Sequence, residues 1–218
     1  MLAASLFLAG NAMADTVLNG SVWAGAASYP TNPNVTAQTG TPSGTVSITS
    51  TTSNPYMFNF SSSNDDSLSG FLQAGGDTAT GFDQTGSCAP APNPTTCGIN
   101  NDIMEFTGIT YMVNGQQYSF THDDGMILDV DGMTMINSPG PTNADTDVFT
   151  WTGTTGTYGF DLWYAEVNGG PAVLNSPDFA VTPEPSSLLL LGTGLLGLAF
   201  LLFKRRGMKP SASPALGA

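Results

Sequence analysis

The sequence predicts an all-β fold: an antiparallel, jelly-roll-like β-sandwich followed by a single C-terminal transmembrane helix. Three observations carry this. Upstream of residue 180 no segment repeats its apolar residues at a helical spacing. Short stretches rich in Val, Ile, Tyr and Phe are separated by Gly, Asn, Asp and Pro turns about every eight to twelve residues, a spacing that lets each sheet bury one face against the other. Only Ser186–Phe203 is a run of eighteen residues that is both uncharged and predominantly apolar.

The first segment, residues 1–14, reads as a secretory signal peptide. Leu2–Ala9 forms an apolar core and Ala12-Met13-Ala14 a small-x-small cleavage site, so that Asp15 starts the mature chain. No basic residue precedes the apolar core, and the export signal is therefore expected to begin upstream of Met1. The competing reading is a short buried strand.

Residues 15–180 then form the exported domain, about 165 residues and large enough for a core of its own. It holds sixteen of the seventeen Asp and Glu residues, the one histidine, and no Lys or Arg. Such a surface repels nucleic acid and anionic lipid, which excludes both as partners of this domain. It attracts divalent cations, or serves to keep an exported protein soluble.

In order, Asp15–Ser28 is the first expected strand, and Tyr29–Gly44 is a loop rich in Thr, Pro, Asn and Gly. Thr45–Ile48 and Tyr56–Phe60 are strands broken at Ser53-Asn54-Pro55. Leu68–Gln73 follows the Asn64-Asp65-Asp66 punctuation and is placed with the strands and turns. Gly75–Asn100 is a long loop carrying Cys88 and Cys97 around a proline-rich stretch. In an exported chain this spacing reads as a disulfide, worth about 2–3 kcal/mol by loop entropy. A zinc site would need further Cys or His nearby, and the sequence has none there.

The second half carries clearer turns. Ile109–Val113 and Gln116–Thr121 flank Asn114-Gly115, and Met126–Val130 and Met133–Ile136 flank Asp131-Gly132; both dipeptides predict two-residue hairpins. After the loop Asn137–Asp145 come Val148–Thr152, Gly159–Val167, Ala172–Leu174 and Phe179–Val181 as strands. Tyr158, Trp163 and Tyr164 could stack on sugar rings, but aromatics alternating along a strand more often fill a core or cover a neighbouring strand.

The tail, residues 181–209, has three parts in fixed order: Pro183-Glu184-Pro185, the apolar run 186–203, and the basic cluster Lys204-Arg205-Arg206 with Lys209. Eighteen helical residues span roughly 27 Å, enough for a thin hydrocarbon core. All four Lys and Arg residues lie at 204–209 and should stay cytoplasmic, with residues 210–218 as a cytoplasmic tail and the domain upstream outside. A buried core helix is the alternative, but this run has no polar face. The tail resembles a PEP-CTERM sorting signal. The resemblance implies an exosortase-type membrane enzyme as partner, cleavage near Pro183–Pro185, and transfer to the cell surface or extracellular matrix. Residues beyond the basic cluster, Met208–Ala218, make it longer than is usual for such signals.

A second resemblance lies in Tyr118-Ser119-Phe120-Thr121-His122-Asp123-Asp124-Gly125-Met126-Ile127-Leu128-Asp129-Val130-Asp131-Gly132. Together with Gly156–Phe160 and the Gly169-Gly170 loop up to Leu174, this stretch is similar to the protective-antigen-type β-sandwich found in fungal flocculins, glycosidase accessory modules and fibro-slime proteins. In its calcium-dependent members, paired Asp residues joined by a cis peptide hold Ca²⁺, which also binds sugar hydroxyls. Carried over by position, Asp123 and Asp124 would be calcium ligands and Asn168 a third. The plain alternative is two tight turns with solvated carboxylates.

No catalytic constellation is present. One histidine and no Lys or Arg in the domain exclude most nucleophilic and phosphoryl-transfer schemes; a two-carboxylate glycosidase is the surviving enzymatic option, and nothing in the sequence fixes such a pair. The expectation is a non-enzyme of the extracellular matrix or exopolysaccharide layer. It is either a binding module for extracellular polysaccharide or a structural matrix protein with no small ligand. The tail generates the first prediction. In a host carrying the sorting enzyme, intact mass spectrometry of surface-released protein should show loss of the apolar run and basic cluster. Peptides covering Leu188–Arg205 in the released form would refute it.

Overall fold

A computed structural model describes residues 17–27, 34–50, 56–62, 67–80, 99, 101–167, 171–182, 194–196 and 198. The chain divides into two compact units, residues 1–183 and 184–218. Among the described residues the first unit contains β1 (Val17–Trp23), β2 (Gly44–Thr49), β3 (Tyr56–Ser61), helix α1 (Leu68–Gln73), β4 (Thr78–Thr80), β5 (Asp102–Met112), β6 (Gln117–Asp123), β7 (Gly125–Val130), β8 (Met133–Ser138), β9 (Asp145–Thr150), β10 (Gly156–Glu166) and β11 (Val173–Val181). In the second unit the described residues 194–196 and 198 are helical.

The strands hydrogen-bond into one continuous antiparallel sheet that doubles over into two layers. One layer has the order β4-β2-β1-β5-β10-β7-β8. The other runs β3-β11-β6-β9, and β11 joins the layers by pairing Val181 with Thr110 of β5. The all-β sandwich expected from the sequence is thus present.

The period-two alternation of the strands explains why the layers close. In β10, Phe160, Leu162 and Tyr164 face the core, while Asp161 and Trp163 face the other way. At the centre, the Phe58 ring of β3 lies 5.9 Å from Phe106 and 6.1 Å from Phe160 in one layer. In the other it lies 5.7 Å from Phe120 and 6.3 Å from Phe179. Aromatic pairs at these separations add to the stabilisation from area burial alone. Tyr164 and Trp163 are buried and Tyr158 packs 4.8 Å from Trp151, so these aromatics are core and cover, as their alternation suggested.

Three sequence expectations are corrected. Leu68–Gln73 is a helix, started by Ser67, whose hydroxyl accepts the Gly70 N–H at 3.1 Å. With six residues it is too short to display a period, and it buries Leu68, Phe71 and Leu72. Asn114-Gly115 makes a tight turn, closed by Gln116 N–H to Val113 O at 3.0 Å, but not a hairpin. Its flanking strands lie in different layers: β5 pairs with β1, β10 and β11, and β6 with β9 and β11. The turn is captured by the end of β9 instead, with Gly115 N–H donating to Trp151 O at 2.8 Å and Trp151 N–H to Gln116 O at 2.9 Å. Finally, β11 is continuous across Ser176-Pro177-Asp178, with its register shifting between Asn175 and Ala180. A bulge is where a strand tolerates proline.

By contrast, Asp131-Gly132 closes the expected hairpin. Both residues have positive φ, 53° and 73°, and β7 pairs with β8. Among the described residues no helix is long and apolar enough to cross a membrane. The signal peptide 1–14, Cys88 and Cys97, Pro183, Glu184, Pro185, most of the run 186–203, and Lys204, Arg205 and Arg206 lie outside the described residues.

On the outward face of the larger layer, Asp161 sits directly across from Asp129. One oxygen of each, Oδ1, is buried without a hydrogen-bond partner. Burial raises the Asp161 pKa above its ordinary 3.8; the Trp163 indole N–H opposes this and the Asp129 charge adds to it. Burial also raises Glu105, and the Asp161 charge adds to that. A carboxyl whose pKa is higher folded than unfolded binds protons more tightly in the native state. Its cost is therefore present at neutral pH and is relieved as pH falls through the raised value. Asp161→Asn should accordingly raise stability at pH 7 by about 0.2–1 kcal/mol, the usual worth of a cross-strand pair. Melting curves of variant and wild type should converge toward pH 4; a constant difference across this range would refute the assignment.

Candidate functional site

One end of the sandwich gathers acids that are far apart in sequence. Asp123 ends β6, Asp124 precedes β7, and Glu166 ends β10. Ligand oxygens of the three lie within 4.8 Å of one another. The peptide bond between Asp123 and Asp124 is cis, as the sandwich resemblance implied.

Each element places its residue for a local reason. Glu166 continues the core-facing parity of Phe160, Leu162 and Tyr164, so the carboxylate lies at the end of an apolar row and is 1% exposed. Its cross-strand partner is Asp102, whose carboxylate accepts the Gly25 N–H at 2.9 Å. Burial pushes Asp102 up to about 6, against the lowering effect of that bond. Asp124 is buried and ties two loops to the site. Its Oδ1 accepts from Thr142 N–H at 3.0 Å and its Oδ2 from Val167 N–H at 2.9 Å. The Tyr164 hydroxyl donates to the Asp123 carbonyl and, at 3.4 Å, to Glu166 Oε2. Burial, followed by the charges of Glu166, Asp123 and Asp124, raises the Tyr164 pKa well above its ordinary value, so the group remains a neutral donor.

His122 supports the turn from below. Its Nδ1 meets the Asp124 carbonyl at 2.5 Å and its Nε2 meets Asp147 Oδ2 at 3.0 Å. Both ring nitrogens are thereby engaged, and neither is left for a metal. Burial raises Asp147, but bonds from Ser138 and His122 and the nearby His122 charge outweigh it and hold the pKa below 3.8. For Asp123, burial and then the Asp124 charge raise the pKa, while the Ala144 N–H and His122 oppose them.

The donor set is all oxygen. That chemistry fits a hard cation such as calcium and not zinc. Calcium–oxygen distances of about 2.4 Å put two ligands of one ion at most about 4.8 Å apart, which the carboxylate spacing allows. Of the sequence-derived ligands, Asp123 and Asp124 come together here. Asn168 lies outside the described residues, two positions beyond Glu166. Glu166 was missed, although an acid continuing the Phe160-Leu162-Tyr164 parity was a readable signal.

Comparison with known proteins adds the tail and a likeness of fold. Residues 181–206 match the PEP-CTERM protein-sorting motif, which implies an exported, surface-sorted protein. No curated protein matches the chain. Among solved structures, the chain is similar to the PA14 domain of the MpAFP antifreeze protein, at 15% identity over 80% of this chain and 92% of that one, with a TM-score of 0.49. It is also similar to a PA14 sugar-binding domain from an RTX adhesin, at 17% identity over 78% and 99%, with a TM-score of 0.42.

Gly125 yields a prediction. A Cβ there would run into the Pro139 backbone carbonyl oxygen, with the carbonyl carbon at 2.8 Å. That oxygen is fixed by the Val35 N–H at 2.8 Å and cannot simply retreat. Gly125→Ala should therefore cost about 1–3 kcal/mol, as overpacking does. Denaturant unfolding checks this, and an unchanged midpoint would refute it.

Proposed function

We propose that the protein is a surface-sorted, non-enzymatic component of the extracellular matrix or exopolysaccharide layer, whose sandwich binds calcium and, through it, carbohydrate. The observation that carries the reading is the convergence of Asp123, Asp124 and Glu166. Asp102 stands across from Glu166, and the domain has no Lys or Arg to compensate these charges. A divalent cation supplies what the sequence withholds. Three side chains provide fewer oxygens than the six to eight calcium takes. Asn168, loop carbonyls, water and the hydroxyls of a sugar are donors for the remainder. The acidic surface favours a neutral polymer, or an acidic one bridged by the ion.

The tail supports the rest of the reading. A membrane helix at 186–203, stopped by Lys204, Arg205 and Arg206, would hold the precursor until an exosortase-type enzyme acts near Pro183–Pro185. In this reading the oxidising compartment would let Cys88 and Cys97 pair as a disulfide.

Calcium titrated calorimetrically into the chelator-treated exported domain should bind once per chain. The Asp123→Ala/Asp124→Ala variant should give no such heat, and a glycan array should light up only with calcium. Equal heats from both proteins, or none from either, would leave a structural matrix protein without a small ligand.

A further inference from the structure

The sorting motif and the folded sandwich overlap. The motif begins at Val181, yet Val181 is the last residue of β11 and is 1% exposed. It pairs with Thr110 at the position where β11 joins the two layers. One residue on, Thr182 is held twice by one carbonyl. Its N–H donates to Ile109 O at 2.8 Å and its hydroxyl to the same oxygen at 3.3 Å. From the facing strand, the buried Thr110 hydroxyl donates to Ala180 O at 2.9 Å. Pro183 follows directly, and with no N–H to donate it cannot extend the ladder. The sandwich thus reaches the Pro-Glu-Pro motif without a spacer.

We propose that this clamp gates the sorting cleavage. The folded sandwich denies the sorting enzyme Val181 and Thr182 and confines scission to the carboxyl side of Thr182. The bond cut lies beyond the clamp, but the enzyme must seat extended chain on both sides of it. The rate therefore follows how often Val181 and Thr182 leave the sheet. This rests on the reading of residues 181–206 as a processed sorting signal. Scission breaks one backbone C–N bond; the acyl carbon passes to water or an acceptor nucleophile, and the leaving nitrogen takes that nucleophile's proton. Cleavage of a folded chain proceeds through its locally open state, and its rate falls with the population of that state when closing is fast. A cut upstream of Val181 would also remove the residue that joins the layers. A cut downstream leaves both intact.

The test follows the full-length precursor by pulse-chase in a host carrying the sorting enzyme, with intact mass of the product. One variant carries Gly-Ser-Gly-Ser between Thr182 and Pro183. A second, Thr110→Val, deletes the clamping hydroxyl and keeps the side-chain shape; melting curves confirm that both fold. The wild-type product should end at Thr182 or beyond, and both variants should convert faster. Thr110→Val should gain roughly two- to tenfold, the factor one hydrogen bond supplies. Unchanged rates, or a product ending before Thr182, would overturn the gate. Acceleration by the spacer alone would also overturn it, leaving crowding around the enzyme as the cause. Absence of conversion in every form would overturn the sorting reading, and the gate with it.

Discussion

The pairing of β11 with three other strands is the constraint on which the rest of the structure depends. It hydrogen-bonds to β3 and β6 along one layer and reaches β5 of the other through Val181. Its Phe179 ring packs with Phe58, Phe120 and Phe160, so the strand that joins the layers also fills the space between them. The bulge at Ser176-Pro177-Asp178 serves that geometry. Asp178 accepts from the Ser119 N–H at 3.0 Å and from the Ser119 and Ser176 hydroxyls at 3.1 Å, replacing ladder bonds that the bulge and Pro177 remove. At its start β11 pairs Val173 with Asp123, and at its last residue, Val181, the sorting motif begins. The carboxylate cluster and the start of the sorting motif therefore lie at opposite ends of one strand.

Charge imposes a second constraint. The exported domain places acids against one another with one histidine as their basic partner, so each buried carboxylate must be stabilised by backbone N–H groups, by hydroxyls or by a cation. Asp124 uses Thr142 and Val167, and Asp147 uses Ser138 and His122. These bonds draw the loops after β8 and β10 toward the paired aspartates. Local order at this end of the sandwich thus depends on the same groups that would hold an ion.

Much of the strand content was legible because alternation is local. The row Phe160-Leu162-Tyr164 and the Asp131-Gly132 hairpin follow from neighbouring residues alone. The helix Leu68–Gln73 was hidden because six residues do not complete two turns, so its capping serine was the stronger signal. Asn114-Gly115 misled for a different reason. Its chemistry specifies the tight turn, but whether two strands leaving a turn pair or diverge depends on competing partners, and β10 and β11 outcompete the sequence neighbours. At the site, Asp123-Asp124 stood out as a contiguous motif, whereas Glu166 needed the register of β10 against β5 and β7 to bring it there.

By itself the sequence determined the compartment and the material. A tripartite tail, a domain free of Lys and Arg, and short alternating strands specify an exported acidic β-sandwich, because hydropathy, charge and period-two patterning are properties of neighbouring residues. Only the tertiary structure decided which strands share a layer, that Glu166 completes the acidic cluster, and that Thr182 belongs to the fold as well as to the sorting motif. These are facts of long-range pairing, fixed by closing the core around Phe58, and no local pattern encodes them.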